Sequence, residues 1–429
     1  MLKDKKGIVL ITSYIVIVVL TILGAAFMSR SISEIRIAER EKNYVQALYI
    51  AESGIDYAIK HLRDGVSSGQ DSTTLNDSTN NPIGYYNCAW NRIGTSSKWE
   101  ATSSGFVGDT ERKIRVELQP DTFARYLYFT NDEHFHWQWL KIAVWFTTGD
   151  LLGGPLQTNS HFHISGDPAF SDTSFHLPVK SEDGYITYMN GGWTINSTAP
   201  SNAPTDNPDF QEGLLLGADR APFPSKALDL RTAAVHDGIM LTGPTTIVLK
   251  DDGTMDVTNP HQGWTTENIA LPENGALFVN GGDLTVSGTL NGQLSVGTNR
   301  SIIVPDNILY NNDPRTDPSS TDTLAIIAER DVVISENAPY NLEINASVMA
   351  LGNSFTVEEY WESPAKGTLT VYGGIIQDER GPVGTFNSGT NEKVSGYSKN
   401  YQYDARLMTN PPPFYPTTGD YVLASWQEE

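Results

Sequence analysis

From Ile8 to Met28 the chain runs for 21 residues without a charge, most of them apolar. As a helix such a run covers about 30 Å, the hydrocarbon thickness of a bilayer, so it reads as a membrane segment. Lys3, Lys5 and Lys6 precede it, and the positive-inside bias keeps that end cytoplasmic and exports the remaining chain. The helical signal does not stop at the membrane. From Ser31 to about Leu62 there is no proline and one glycine, Gly54, while Ile35, Ala38, Val45, Leu48, Ile55, Ile59 and Leu62 recur at three-and-four spacing. The pattern predicts one rod of ~55 residues, about 80 Å long. A Sec signal peptide shares the basic start and apolar core, and Gly24-Ala25-Ala26 offers a cleavage site, but a secreted globular domain has little use for such a rod.

A short basic leader ending in Gly7, then an apolar helix from Ile8 passing into an amphipathic one, resembles the start of type IV pilins and type II secretion pseudopilins. Arg36-Ile37-Ala38-Glu39-Arg40-Glu41 with Gln46-Ala47-Leu48-Tyr49-Ile50-Ala51-Glu52-Ser53-Gly54 after it is similar to the N-terminal domain of PilX-type minor pilins. The resemblance covers residues 1–65. It implies that a prepilin peptidase cuts after Gly7 and that Ile8 becomes the methylated N-terminus. It also marks a departure. Major pilins carry Glu at the fifth mature position, which here is Thr12. That carboxylate meets a neighbour's amino terminus in the family, because a charge in lipid is tolerated when paired. PilX-type minor pilins and GspK-type pseudopilins commonly lack it and are associated with the filament tip or with initiation, which is the role the resemblance implies here. A divergent anchor that never polymerises is the alternative.

The rest of the chain reads as a soluble, exported head. With one cysteine, Cys88, no intrachain disulfide can form, so stability must come from core size. The formal net charge is −22, and residues 1–65 do not share it, holding nine Lys/Arg against seven Asp/Glu. An anionic exterior of this size speaks against nucleic acid and anionic membranes as partners of the head.

Residues 65–79 are rich in Ser, Thr, Asp, Asn and Gly and read as a linker. Tyr85–Trp90, Lys98–Ser103 and Lys113–Leu118 then read as three short antiparallel strands, the last alternating with period two. From residue 121 short apolar runs are separated by Gly, Asn and Asp. The runs are 161–165, 238–250, 276–286, 293–303, 323–334, 342–351 and 367–376, and their cadence suits a parallel β-helix, with a β-sandwich as the alternative. Gly149–Phe170, and Tyr403-Asp404-Ala405-Arg406-Leu407 with Asn410-Pro411-Pro412-Pro413, resemble parts of large heads found after such pilin N-termini. The expected organisation is α+β, with a leader at 1–7, a pilin helix at 8–65, a linker and small antiparallel sheet at 66–120, an all-β head at 121–415 and a tail at 416–429.

Candidate chemistry is sparse. His134 and His136, and His161 and His163, form two His-x-His pairs whose imidazoles would share a strand face and suit one metal. The pairs are 25 residues apart, and Phe135, Trp137, Trp139, Phe162 and Phe170 around them favour a plain aromatic surface or core edge. Trp137, Trp139 and Trp145 offer a stacking platform or, more simply, core. Asp251-Asp252 beside Gly253 is a turn signature, and adjacent strand residues such as these or Glu358-Glu359 point to opposite faces, unsuited to joint acid–base work. His-Glu-x-x-His, Walker and dinucleotide patterns do not occur. No catalytic residue, cofactor or metal is therefore assigned. The site residues are Gly7 and Ile8 for processing and Thr12 for assembly. The expected partners are other pilin or pseudopilin subunits, the prepilin peptidase and the inner membrane, with a possible surface ligand for the head. A membrane-tethered β-helix enzyme acting on polysaccharide, or a non-assembling adhesin, is the alternative function.

Overall fold

The computed structural model describes residues 6–94, 98–137, 139–171, 175–190, 192–362, 364–387, 389–390 and 392–429, with the side chains of 6–9, 137, 171 and 190 excepted. It divides into two compact units, one of residues 1–120 and 420–429, the other of 121–419. A long N-terminal apolar helix and a small antiparallel sheet make up the first, and the second is a large β-rich head.

In the first unit a single helix, α1, spans Lys6–Arg63, 58 residues without a break. Its end is set by Gly65, whose φ of +83° only glycine adopts freely. Gly65 N–H donates to Leu62 and Val66 N–H to His61, at 3.0 and 2.9 Å, the paired bonds of a Schellman stop. The buried face is Ala47, Ile50, Ala51, Gly54, Ile55, Ala58 and Leu62. That differs from the expected stripe. Ile55 and Leu62 are buried, Leu48 and Ile59 are half-buried, and Ile35, Ala38 and Val45 are exposed. The small residues win because the sheet backbone comes too close for large ones. A Cβ on Gly105 would lie 2.1 Å from the Ala47 carbonyl oxygen, and one on Gly54 2.3 Å from Ser103 Oγ.

The sheet that α1 covers consists of β1 (Gly69–Asn76), β2 (Pro82–Arg92), β3 (Trp99–Val107) and β4 (Thr110–Thr122), antiparallel in that order. Inward Tyr86, Cys88, Trp90, Ala101, Ile114, Val116 and Leu118 close the core against the helix. Two elements correct the sequence reading. The expected linker contains β1, an edge strand that needs few apolar residues. Its hairpin is fixed by Asp77, whose Oδ1 accepts from the Thr79 and Asn81 N–H groups at 2.9 Å each. The expected tail instead forms the strand Thr417–Glu428, which joins the sheet beside β4. Glu428 pairs with Arg112, and Glu429 with Lys113 and Arg115, so charge complementarity supplies what hydrophobic pattern lacks.

The head is built mainly from parallel ladders, with a few antiparallel hairpins, unlike the antiparallel pairing of a sandwich. One ladder stacks Ile239–Thr242, Ala276–Asn280, Gln293–Thr298, Thr323–Ala328, Leu342–Ala350 and Ala365–Glu379. It continues through β5 (Tyr128–Asp132) to Leu156–Thr158, Val179–Ser181 and Leu214–Leu216. Leu277, Val296, Ile326, Val348, Ile375, Tyr128 and Leu156 stand in register through its interior, all buried. The outward positions are buried too. Phe278, Ile327, Met349, Ile376 and Phe129 are covered by a second helix, α2 (Leu228–His236), and by Phe223, which is why these strands read as unbroken apolar runs. The first strand of the head, β5, therefore sits in mid-stack, and residues 217–238 cross back to the far end.

Candidate assembly helix and histidine-bearing face

Among the described residues, the N-terminal part of α1 is not covered by the rest of its own unit. From Leu10 to Lys42 nearly every residue is exposed, including Leu10, Ile15, Ile17, Leu20, Ile22 and Phe27. A helix that is apolar all round belongs in a membrane or among other helices. It is long and apolar enough to cross a membrane. One of its hydroxyls is fitted for that medium: Thr21 Oγ1 donates to the Ile17 carbonyl at 2.8 Å, so that donor is satisfied within the helix. Charge returns as an exposed i,i+4 pair, Arg30 with Glu34 at 3.0 Å. Gly7 and Ile8 lie in the first turn of α1, and Thr12 is exposed one turn further on. Residues 1–5 of the expected leader lie outside the described residues.

In the head, β6 (His134–Trp137) and β7 (Leu140–Ala143) form a two-stranded hairpin, and His163–Ser165 lies inside a separate four-stranded sheet between Phe146–Thr147 and Ile186–Asn190. The fold brings three of the four candidate histidines together. His134 and His163 have ring centroids 4.6 Å apart, His161 and His163 4.7 Å, and His134 and His161 5.7 Å. His136 is not among them and pairs with Glu379 at 2.9 Å.

Two carboxylates that sequence reading missed orient this group. Asp132 Oδ1 holds His134 Nδ1 at 2.7 Å, and Asp183 Oδ2 holds His161 Nδ1 at 2.8 Å. The Asp132-x-His134 spacing is a usable signal, since alternate strand residues share a face; Asp183 gives none. Hydrogen bonds from His134 and Lys141 hold the Asp132 carboxyl well below the usual carboxylate range against its burial. His163 is 3% exposed. Burial, reinforced by the neighbouring His161, His134 and Arg380, pushes its pKa down to about 2, so the ring is neutral. Its Nδ1 is buried with no hydrogen-bond partner among the described residues.

The aromatic residues separate. Trp139 is 83% exposed, whereas Trp145 stands half-buried with its ring 5.4 Å from His163; the side chain of Trp137 lies outside the described residues. A cleft of about 270 Å³ opens beside them, lined among others by Phe135, Trp145, Asp150, Tyr360, Lys393 and Lys399. Lys399 and Asp150 in it form an ion pair at 2.5 Å. Asp252, in the expected turn, accepts from Thr254 N–H and Oγ1 at 3.0 and 2.6 Å, with Gly253 at φ +82°.

Comparison with known proteins divides along the chain. Residues 6–56 match the family described as PilX N-terminal. Residues 93–174 match a domain of unknown function, DUF4900. No curated protein matches the chain. Among solved structures, the competence-associated pilin ComZ from Thermus thermophilus is similar over 90% of this chain and 97% of that one, at 12% identity and a TM-score of 0.34. The match to the PilX N-terminal family coincides with the exposed apolar part of α1 and the start of its packed part, so it is the N-terminal helix of this chain that is similar to a PilX-type minor pilin.

Proposed function

We propose that the chain is a minor pilin or pseudopilin-like subunit, cut after Gly7, held in the inner membrane by the helix from Ile8 and then drawn into a type IV pilus or type II secretion filament. The observation that carries this reading is the division of α1. Its C-terminal third is clamped to a small sheet by Ala47, Ala51, Gly54 and Ala58, while the apolar remainder is left bare. A lone membrane anchor needs the bare part but not a rigid continuation; a subunit that must leave lipid and pack among neighbouring helices needs both. The partners are accordingly other pilin subunits, met through exposed residues such as Ile15, Val19, Ile22 and Ile35.

Placement at the tip, in initiation or adhesion, rests on two further observations. Thr12 gives a neighbour's amino terminus no carboxylate to pair with, and the head is far larger than the small sheet that suffices to cap the helix. The role is structural rather than catalytic. Immunogold labelling of purified filaments with antibody to the head tests it: label confined to one end is expected, and label spaced along the shaft would contradict tip placement.

A further inference from the structure

We propose that His134, His161 and His163 form a binding site for a transition-metal dication of the zinc type, each imidazole giving one nitrogen and the fourth position left open. One nitrogen from each ring lies within 4.8 Å of the other two. Tetrahedral zinc with Zn–N near 2.0 Å needs nitrogens about 3.3 Å apart, so the rings need close by no more than about 1.5 Å.

Two independent features distinguish this group from a chance histidine cluster. First, the Nδ1 atoms of His134 and His161 are each taken by a carboxylate, Asp132 and Asp183. That fixes the tautomer with the proton on Nδ1 and leaves the lone pair on Nε2, the arrangement that carboxylates impose on metal-binding histidines. Second, the buried Nδ1 of His163 has no hydrogen-bond partner among the described residues. A buried polar atom left unsatisfied is costly and calls for an explanation.

The charged surroundings admit a cation. Asp132, Asp183 and Glu133 carry negative charge; Lys141 and Arg380 carry positive charge and are paired with Asp132 at 2.8 Å and Glu133 at 3.0 Å. Asp183 is 42% exposed at the rim, so the site has a path to solvent. Imidazole donors select zinc, copper, nickel or cobalt over magnesium and calcium, which prefer oxygen.

The bound ion would have a mechanical effect. His134 starts β6, whose hairpin pairs with no other strand among the described residues, whereas His161 and His163 belong to the stacked body of the head. A two-stranded hairpin is marginal alone. Joining His134 to His161 and His163 fastens it, and with it Phe135 and Ile142 on the wall of the cleft.

The test uses the full-length chain in detergent, freed of metal by a chelator, and titrated with Co2+ and then Zn2+ while visible absorption and calorimetric heat are recorded. The expected result is one equivalent of cobalt with the absorption of low-symmetry, four-coordinate Co2+, displaced by one equivalent of zinc. H134Q and H161Q should each lower affinity at least ~100-fold, D183N about 10- to 100-fold, and H136Q should leave it unchanged. Because His163 is buried, H163Q is interpreted only where its circular dichroism matches the parent, and the two rim variants decide otherwise. Absence of stoichiometric uptake, uptake untouched by H134Q and H161Q, or loss caused by H136Q would each overturn the assignment.

Discussion

Gly105 on β3 lies directly under Ala47 of α1, so close that a Cβ there would sit 2.1 Å from the Ala47 carbonyl oxygen and 2.5 Å from the Ala51 nitrogen. Both obstacles are backbone and cannot swing aside. Gly105→Val should therefore force the helix off the sheet, at about 3 kcal/mol or more. Thermal unfolding monitored by circular dichroism checks this. A variant melting within about 1 °C of the parent would mean that the helix is not seated as described.

Cys88 reports on the same contact. It is buried between sheet and helix, and burial pushes its thiol up to about 11. The native protein should resist alkylation at pH 8 and react fully once denatured. The unfolded thiol ionises near pH 8.5 and the folded one only near 11, so its stabilising contribution is complete below about pH 8.5 and is lost as pH rises through that window. Cys88→Ser should remove this alkaline component. Rapid native labelling at pH 8 would contradict the burial.

The C-terminal strand belongs to the first unit, where Glu428 pairs with a nearly buried Arg112 whose guanidinium also lies 3.4 Å from the Tyr44 ring centroid. Removing residues 420–429 exposes the β4 edge and leaves Arg112 without its carboxylate. We expect a loss of roughly 2–3 kcal/mol and a chain prone to associate through the bared edge. Unchanged melting and gel-filtration behaviour on truncation would show that the strand is dispensable.

In the head, Glu133 is fully buried and meets Arg380, 2% exposed, at 3.0 Å. Arg380 also donates to the Val144 carbonyl and lies 3.4 Å from the Phe146 ring centroid. Glu133→Ala leaves a guanidinium buried without its partner and should cost about 3–5 kcal/mol. Replacing both with apolar residues should recover most of that. A denaturant titration of the single and double variants separates the two outcomes; additive losses would mean that the pair is not coupled.

The helix and the middle strands of the small sheet are legible in the sequence, because a charge-free run, an i/i+3/i+4 pattern and period-two alternation each report local geometry. Gly69–Asn76 reads as a linker because an edge strand with one half-covered face can be polar. Thr417–Glu428 reads as a tail because its partner, β4, lies some 300 residues earlier. The position of β5 is hidden for a related reason. It pairs with Ile375–Glu379 on one side and Leu156–Thr158 on the other, and three-residue pairings carry no readable register. The histidines illustrate the consequence. Tyr128 stands opposite Leu156, an offset of 28 residues that brings His134 over His161 and His163. The two pairs look remote in the sequence only because the length of a coil cannot be read from it.

Entry of the helix from Ile8 into the pilin pathway is tested most directly by the intact mass of the protein from cells with and without prepilin peptidase. Loss of Met1–Gly7, with one methyl on Ile8, is predicted only where the peptidase is present. An unchanged mass in both strains, or a cut near Ala26, would contradict it.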